Sequence, residues 1–279
     1  MEKYCDLHAH STASDGSLTP TELLSLAERS GLSALVLCDH NTVAGLPEFT
    51  ESAKTSSVEA VPAVEFSTEY TGIELHVLAL YIKPEGYAAI NEILDDFKRR
   101  KEQSNIALVK ALNDAGFDVD YETIRGKHSY VNRAHIAEIM VEKGYAQSVK
   151  DAFKRYLSPD QAYYTPPKRL DVFETIRFIK SLGAVAVLAH PFLNLNEEQL
   201  RAFLPKAVSC GLDAIETLYA KYDPETTALA KQLAKQYGLL ESGGSDFHGT
   251  TKPDIALGTG RGDLKIPMDL LERLKQRKR

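Results

Sequence analysis

Cysteine is scarce in this sequence. Cys5, Cys38 and Cys210 are few, odd in number and widely spaced. That excludes a disulfide framework and a zinc knuckle, and suits small buried residues in a reducing, cytoplasmic compartment. No apolar run approaches the length of a membrane-spanning helix. The N-terminus has no basic segment followed by an apolar one, so nothing there marks the chain for export. An excess of positive charge is missing too: 33 Lys and Arg face 39 Asp and Glu, a net charge of −6, which argues against a general nucleic-acid coat protein. The run Lys98-Arg99-Arg100-Lys101 reads as a solvated helix face, without the interleaved aromatics of a single-strand track. No Gly-rich dinucleotide loop follows the first expected strand. What remains is a soluble globular composition, 43% hydrophobic and 26% charged, in 279 residues. That length suffices for one large α/β barrel or two ordinary domains.

What is present is an alternation of strands and helices. A short strand spans 5–8. Thr19-Pro20-Thr21-Glu22 is a capping box that starts a helix running to about Arg29, ended by Gly31. The apolar run Leu35-Val36-Leu37-Cys38 reads as a fully buried strand. A short helix follows from about Leu46, and 58–64 and 73–80 read as strands. The middle differs: 88–115 is one long helical pattern, 134–143 and 148–156 are further helices, and no convincing buried strand falls between about Pro84 and Pro166. The alternation resumes with a helix start at Asp171, a strand over 184–188, a helix to Ser209, a strand over 214–216 and a helix over 224–236. Leu239-Leu240 then leads into a Gly243-Gly244 turn.

Strands alternating with helices imply parallel pairing with right-handed crossovers. Chemistry at the C-terminal ends of strands suits a closed (β/α) barrel. Residues 1–85 and 168–279 are therefore expected to form the barrel, with 86–167 as a helical insertion capping its mouth. Residues 86–169 carry 14 Lys/Arg against 12 Asp/Glu, while the rest carries 19 against 27. An acidic body gathering cations beside a relatively basic insertion suits a metal site that receives an anionic substrate.

The chemistry-bearing residues cluster after short apolar runs. His8 and His10, two apart in a strand, point to one face and can reach one ion. Asp15 lies in the following loop and can return a carboxylate to the same cavity. Asp39-His40 follows the buried second strand; the Asp either orients a ligand from behind or caps a helix. Glu65 ends a strand and can bridge two cations. His76 lies within a mostly apolar strand, where a core histidine is unusual. His190-Pro191 ends the next strand, and Asp246 and His248 repeat the two-residue spacing after two glycines that allow close backbone approach. Six of the eight histidines fall at such positions. A polynuclear centre of this kind generates a hydrolytic nucleophile from water at neutral pH.

These motifs, Asp6–Ser11 (DLHAHS) with Asp15, Cys38–Asn41 (CDHN), Glu65 before His76, Ala189–Pro191 (AHP) and Gly243–Gly249 (GGSDFHG), occur in the order found in the polymerase-and-histidinol-phosphatase (PHP) family. The chain resembles that family at both ends. The resemblance implies a distorted (β/α)7 barrel holding two or three divalent ions, Mn, Zn or Fe with Mn favoured. One ion would take His8, His10, Glu65 and Asp246; a second Asp15, His40 and His248; a third would share Glu65 and add His76 and His190. Histidinol-phosphatase-like members commonly carry His where this chain has Asp15.

Within the insertion, Asn132-Arg133-Ala134-His135-Ile136-Ala137 is similar to the R-x-H-I-A motif of the nucleotide-directed branch, which acts on 3′,5′-nucleoside bisphosphates and on 5′-ends of short RNA. Arg133 can offer a bidentate fork to a phosphate and His135 a second hydrogen bond; the plainer alternative is two solvent-facing residues in a helix's first turn. Lys127 and Lys168 could add charge. The expected function is metal-dependent hydrolysis of a phosphate monoester on a small nucleotide, and of short single-stranded RNA. No membrane and no duplex nucleic acid is expected as partner. Asp246 is the candidate proton acceptor, besides being a ligand. The alternatives are a histidinol-phosphate-type monophosphatase and a non-catalytic metal-binding regulatory module, the latter disfavoured because no ligand is missing.

Overall fold

Short runs of Val, Leu, Ile and Ala that are apolar on both faces can lie only in the centre of an α/β protein. The computed structural model, which describes residues 2–127 and 131–278, places them there. The strands are β1 (Tyr4–Ala9), β2 (Ala34–Leu37), β3 (Glu59–Tyr70), β4 (Ile73–Leu80), β5 (Leu170–Asp171), β6 (Val185–Ala189), β7 (Ala214–Tyr219), β8 (Leu240–Gly244) and β9 (Ile266–Pro267). They form one mixed sheet in the order β8-β7-β6-β4-β3-β2-β1-β9, with β5 beside β3. The sheet is a nearly closed barrel. Beyond the end of β8 the chain returns to β1: the Asp246 N–H donates to His8 O and the His10 N–H to Phe247 O, each at 2.9 Å. Among the described residues no helix is long and apolar enough to cross a membrane.

Pairing is not parallel throughout, as the alternation had suggested. β3 and β4 form an antiparallel hairpin, and β4 pairs antiparallel with β6. Tyr70 pairs with Ile73, so the loop is only Thr71-Gly72, with φ of +50° and +83°. Two positive φ values match a type I′ turn, whose twist suits a hairpin. Thr-Gly is a weaker signal for it than Asn-Gly, so composition did not announce the reversal. β3 also continues six residues past Val64, which places Glu65 inside the strand and not at its end. Likewise Gly243 and Gly244 lie within β8, not in a turn.

The inward face of the sheet carries Cys5, Leu7, Val36, Val61, Ala63, Leu78, Leu80, Val185, Val187 and Ala214 in one buried apolar cluster. Strict alternation continues this face to Glu65 on β3, His76 on β4 and Glu216 on β7. On β1 the register shifts between Asp6 and Ala9, where three steps match two on β2. Such a bulge switches which side chains face inward, and His8 and His10 thereby join the ligand face. A second shift lies between Glu216 and Leu218 on β7, ahead of Tyr219.

Helices flank these strands: α1 (Pro20–Arg29), α2 (Leu46–Ser52), α7 (Val172–Ser181), α8 (Glu197–Cys210), α9 (Pro224–Gln236) and α10 (Met268–Lys275). The Thr19–Glu22 capping box forms as expected: Thr19 Oγ1 accepts from the Glu22 N–H and Glu22 Oε2 from the Thr19 N–H. Asp171 caps α7 through the Phe173 and Glu174 N–H groups.

The chain divides into two compact units, residues 1–91 with 170–279, and residues 92–169. The division falls inside α3 (Tyr87–Asp114). The second unit also contains α4 (Tyr121–Lys127), α5 (Arg133–Glu142) and α6 (Val149–Ala152), the last followed by a π-helical turn over Phe153–Leu157. It has its own apolar core, including Leu112, Val119, Ile124, Ile136, Met140 and Leu157. The short α4 had no counterpart in the sequence pattern.

Candidate metal centre

The nine expected ligands come from six strands or the loops that follow them. The loop after β1 is tied down by Asp39: its Oδ1 accepts from the Ser11 N–H and Ser14 Oγ, and its Oδ2 from Ser11 Oγ, all at 2.7 Å. Asp39 therefore shapes the loop that presents Asp15, and caps no helix. Past β2, the Asn41 N–H donates to Glu65 O at 2.9 Å, fixing His40 beside β3. The β4 reversal carries His76 opposite Ala189, so His76 and His190 reach the same carboxylate.

Four donor atoms converge first. His8 Nε2 and His10 Nε2 are 3.1 Å apart, and each lies 3.2 Å from Glu65 Oε2. Asp246 Oδ1 is 3.7 and 3.4 Å from the same two nitrogens. A second group forms around the Asp15 carboxylate, with His248 Nε2 at 3.3 Å and His40 Nε2 at 3.9 Å. At the other oxygen of Glu65, Oε1, lie His76 Nδ1 at 2.9 Å and His190 Nε2 at 3.2 Å. The ligand atoms of His10, Asp15, His40 and His248 all fall within 4.8 Å of one another, as do those of His8, Glu65 and His190, and of His40, Glu65 and His76. All nine expected ligands are thus gathered. Most are buried; the Asp15 side chain, 56% exposed, is the open edge.

This arrangement calls for cations. The facing atoms are mostly lone-pair donors, and the Nδ1 atoms of His10 and His40 are buried without a hydrogen-bond partner. His40 Nδ1 lies 3.1 Å from Glu65 Oε2 yet makes no hydrogen bond to it. Buried polar atoms left unpaired are costly, and divalent ions between imidazole nitrogens and carboxylate oxygens would satisfy them together. The residues fit such ions. Burial, with His10 and His76 nearby and Glu65 and Asp15 opposing, lowers the His40 pKa to about 4, which keeps the ring neutral as a ligand must be. Burial opposes ionisation of Glu65, but His8, His40 and His76 hold its pKa well below the usual range.

Several residues around the ligands lie outside the expected set. Glu216, buried on β7, lies with Oε1 3.0 Å from His8 Nδ1. Asp6 accepts hydrogen bonds from the Ser245 N–H and Oγ, the Gly258 N–H and the His8 N–H, tying β1 to the segment that follows β8. Asp246 Oδ2 accepts from Tyr219 OH at 2.8 Å and Lys252 Nζ at 2.7 Å. Cys38 brings a sulfur within 4.8 Å of ligand atoms of His8 and His10. Asp246, His190 and Asn41 adopt positive φ of +57°, +30° and +50°, a strained conformation typical of functional positions.

In the second unit, Asn132 caps α5. Its Oδ1 accepts from the His135 N–H at 3.1 Å, and its own N–H donates to His135 Nδ1 at 3.4 Å. Arg133 is half-buried: one guanidinium nitrogen donates to Leu157 O at 2.9 Å, and the group stacks 4.2 Å above the Tyr164 ring. Arg133 and His135 are therefore held by their own segment and are not simply solvent-facing. Lys127 and Lys168 are exposed.

Residues 6–158 match the PHP domain model. The chain belongs to the PHP domain family. It is 32% identical over 89% of its length to a 5′-3′ exoribonuclease of Haemophilus influenzae, covering 91% of that protein. It is 29% identical to a phosphoribosyl 1,2-cyclic phosphate 1,2-diphosphodiesterase of Eggerthella lenta, over 88% of this chain and 94% of that one. It is 27% identical to a 3′,5′-nucleoside bisphosphate phosphatase of Chromobacterium violaceum, over 87% and 86%. A solved structure from Bifidobacterium adolescentis, described as a metal-dependent phosphoesterase, superposes with a TM-score of 0.73 at 27% identity, covering 99% of this chain and 97% of that one. This PHP domain is a metal-dependent phosphoric ester hydrolase.

Proposed function

We propose that this PHP domain hydrolyses a phosphate monoester of a small nucleotide, converting a 3′,5′-nucleoside bisphosphate and water to a nucleoside 5′-monophosphate and inorganic phosphate, and also acts on 5′-ends of short single-stranded RNA. The observation that carries the reading is the Asn132–His135 turn: an arginine and a histidine held at the start of α5 in a chain that also brings the nine expected ligands together. The first turn of a helix favours phosphate, and Arg133 supplies a charged fork to grip one. The names of the H. influenzae and C. violaceum relatives support both substrate classes.

His8, His10, Glu65 and Asp246 would hold one ion; Asp15, His40 and His248 a second; Glu65, His76 and His190 a third. The mixed imidazole and carboxylate set suits Mn, Zn or Fe, and Mn is the first to test. Bound ions of this type bring the pKa of a coordinated water to about 7 and neutralise non-bridging phosphate oxygens. The protein's own groups do the rest. Glu65 carries negative charge into the centre of the cluster. Asp246 has both oxygens engaged, one toward the imidazoles and one by Tyr219 and Lys252. Its pKa, raised by burial but lowered more by His10 and His8, lies well below the usual range. With both oxygens engaged in this way, Asp246 would serve first as a ligand. Arg133 and His135 would hold the second phosphate, with Lys127 and Lys168 adding long-range attraction.

The test is phosphate release from a panel of 3′,5′-bisphosphates, nucleoside monophosphates, cyclic phosphates, histidinol phosphate and 5′-phosphorylated oligoribonucleotides, with added Mn. Fastest turnover of a bisphosphate is the expected result. Preference for histidinol phosphate would overturn the nucleotide reading, and turnover of nothing on the panel would favour a non-catalytic module.

A further inference from the structure

The β7 carboxylate Glu216 touches two expected ligands, one through each of its oxygens. Its Oε1 lies 3.0 Å from His8 Nδ1, and its Oε2 accepts the backbone N–H of His190 at 2.7 Å. All three residues are buried, Glu216 completely. A carboxylate has only lone pairs to offer, so His8 must carry its proton on Nδ1. In the neutral ring that a ligand must be, this leaves Nε2 bare, and Nε2 is the atom that faces His10 and Glu65. The other contact is equally directional. His190 sits at φ +30°, outside the range an L-residue adopts readily, and the Glu216 oxygen holds its N–H in that conformation while its imidazole reaches Glu65 Oε1 at 3.2 Å.

We propose that Glu216 is a positioning residue that sets the tautomer of His8 and the backbone of His190 together, so that one carboxylate prepares ligands for two ion positions at once. The proposal rests on His8 being a ligand. An amide cannot replace the carboxylate here. In Glu216→Gln, an oxygen kept on the His190 N–H would turn the NH2 toward His8 Nδ1. His8 would then carry its proton on Nε2, where it cannot ligate. The opposite flip would set the NH2 against the His190 N–H and release that backbone.

The experiment is ¹⁵N NMR of histidine-labelled full-length protein loaded with Zn, with His8 assigned by comparison with His8→Gln. Elemental analysis and circular dichroism run alongside. The wild type should show His8 protonated at Nδ1 and metal-shifted at Nε2. Glu216→Gln should lose that signature and bind fewer ions per chain, with affinity reduced by about 10–100-fold, while its helical spectrum persists. If His8 Nε2 is not metal-shifted in the wild type, the ligand assignment itself fails. If it is metal-shifted in both proteins and the ion count is equal, the ligand assignment stands and the role of Glu216 is overturned. Should Glu216→Gln not fold, the wild-type spectrum still decides: a proton on His8 Nε2, or a deprotonated Nδ1, excludes the proposal.

Discussion

Glu65 stands at the centre of this site, because its two oxygens face different partners: Oε2 faces His8, His10 and His40, and Oε1 faces His76 and His190. Glu65→Gln removes one negative charge from among five imidazoles and should lower the number of bound transition-metal ions by at least one per chain, read by elemental analysis of protein purified without chelator. Unchanged metal content would mean that the cluster is held without this carboxylate. Arg133 is the residue on which the substrate reading depends. Arg133→Ala should lower kcat/KM by about tenfold or more, the scale of one lost charge-assisted contact of roughly 1.5–3 kcal/mol. The loss should be larger for a 3′,5′-bisphosphate than for a substrate with one phosphate. Equal losses on the two substrates would remove Arg133 from the second phosphate.

At the scale of elements, the fold is legible in the sequence where local chemistry decides and less so where pairing does. The capping box at Thr19, the Asp171 cap and the helix over Pro224–Gln236 are local, and they form at the expected residues. So is the two-residue spacing of His8 with His10 and of Asp246 with His248, which located the centre. The reversal of β4 was not legible, because its turn is Thr-Gly and its strands are apolar on both faces. Glu216 was missed for a related reason: one carboxylate in a short strand looks like a surface residue until the β7 register turns it inward. The turn supplies a test. Thr71 is β-branched, exposed and at φ +50°, a conformation that costs such residues about 1–2 kcal/mol. Thr71→Asn should raise Tm by about 2 °C or more, read by thermal unfolding; a fall would show that the turn is not under this strain. Gly244 tests barrel closure in the opposite direction. A Cβ there would lie 2.1 Å from the His8 Cβ, so Gly244→Ala must push β8 away from β1. Overpacking of this kind costs about 1–3 kcal/mol, and a lower Tm together with weaker metal retention is expected.

For the whole molecule, the question is why a metal barrel carries an inserted unit at all. Residues 92–169 have their own apolar core, and the Arg133–His135 turn belongs to it and not to the barrel. We propose that this insertion acts as a cap over the C-terminal rim of the barrel strands, bringing charge to a second phosphate while the barrel's ligands serve the first. A cap would admit a mononucleotide or a single strand and refuse a duplex. It would also exclude water around the scissile phosphate, where fixed charges act more strongly. Two measurements follow. Short 5′-phosphorylated RNA should be degraded as a single strand, and annealing its complement should suppress turnover by about tenfold or more, a barrier of roughly 1.4 kcal/mol. With Mn bound, a nitroxide placed on α5 next to Arg133 should show strong dipolar broadening from the metal. Equal turnover of duplex and single strand, together with a nitroxide that does not sense Mn, would make the insertion a peripheral decoration. The nucleotide assignment would then rest on the barrel motifs alone, which the family's other phosphoesterases share.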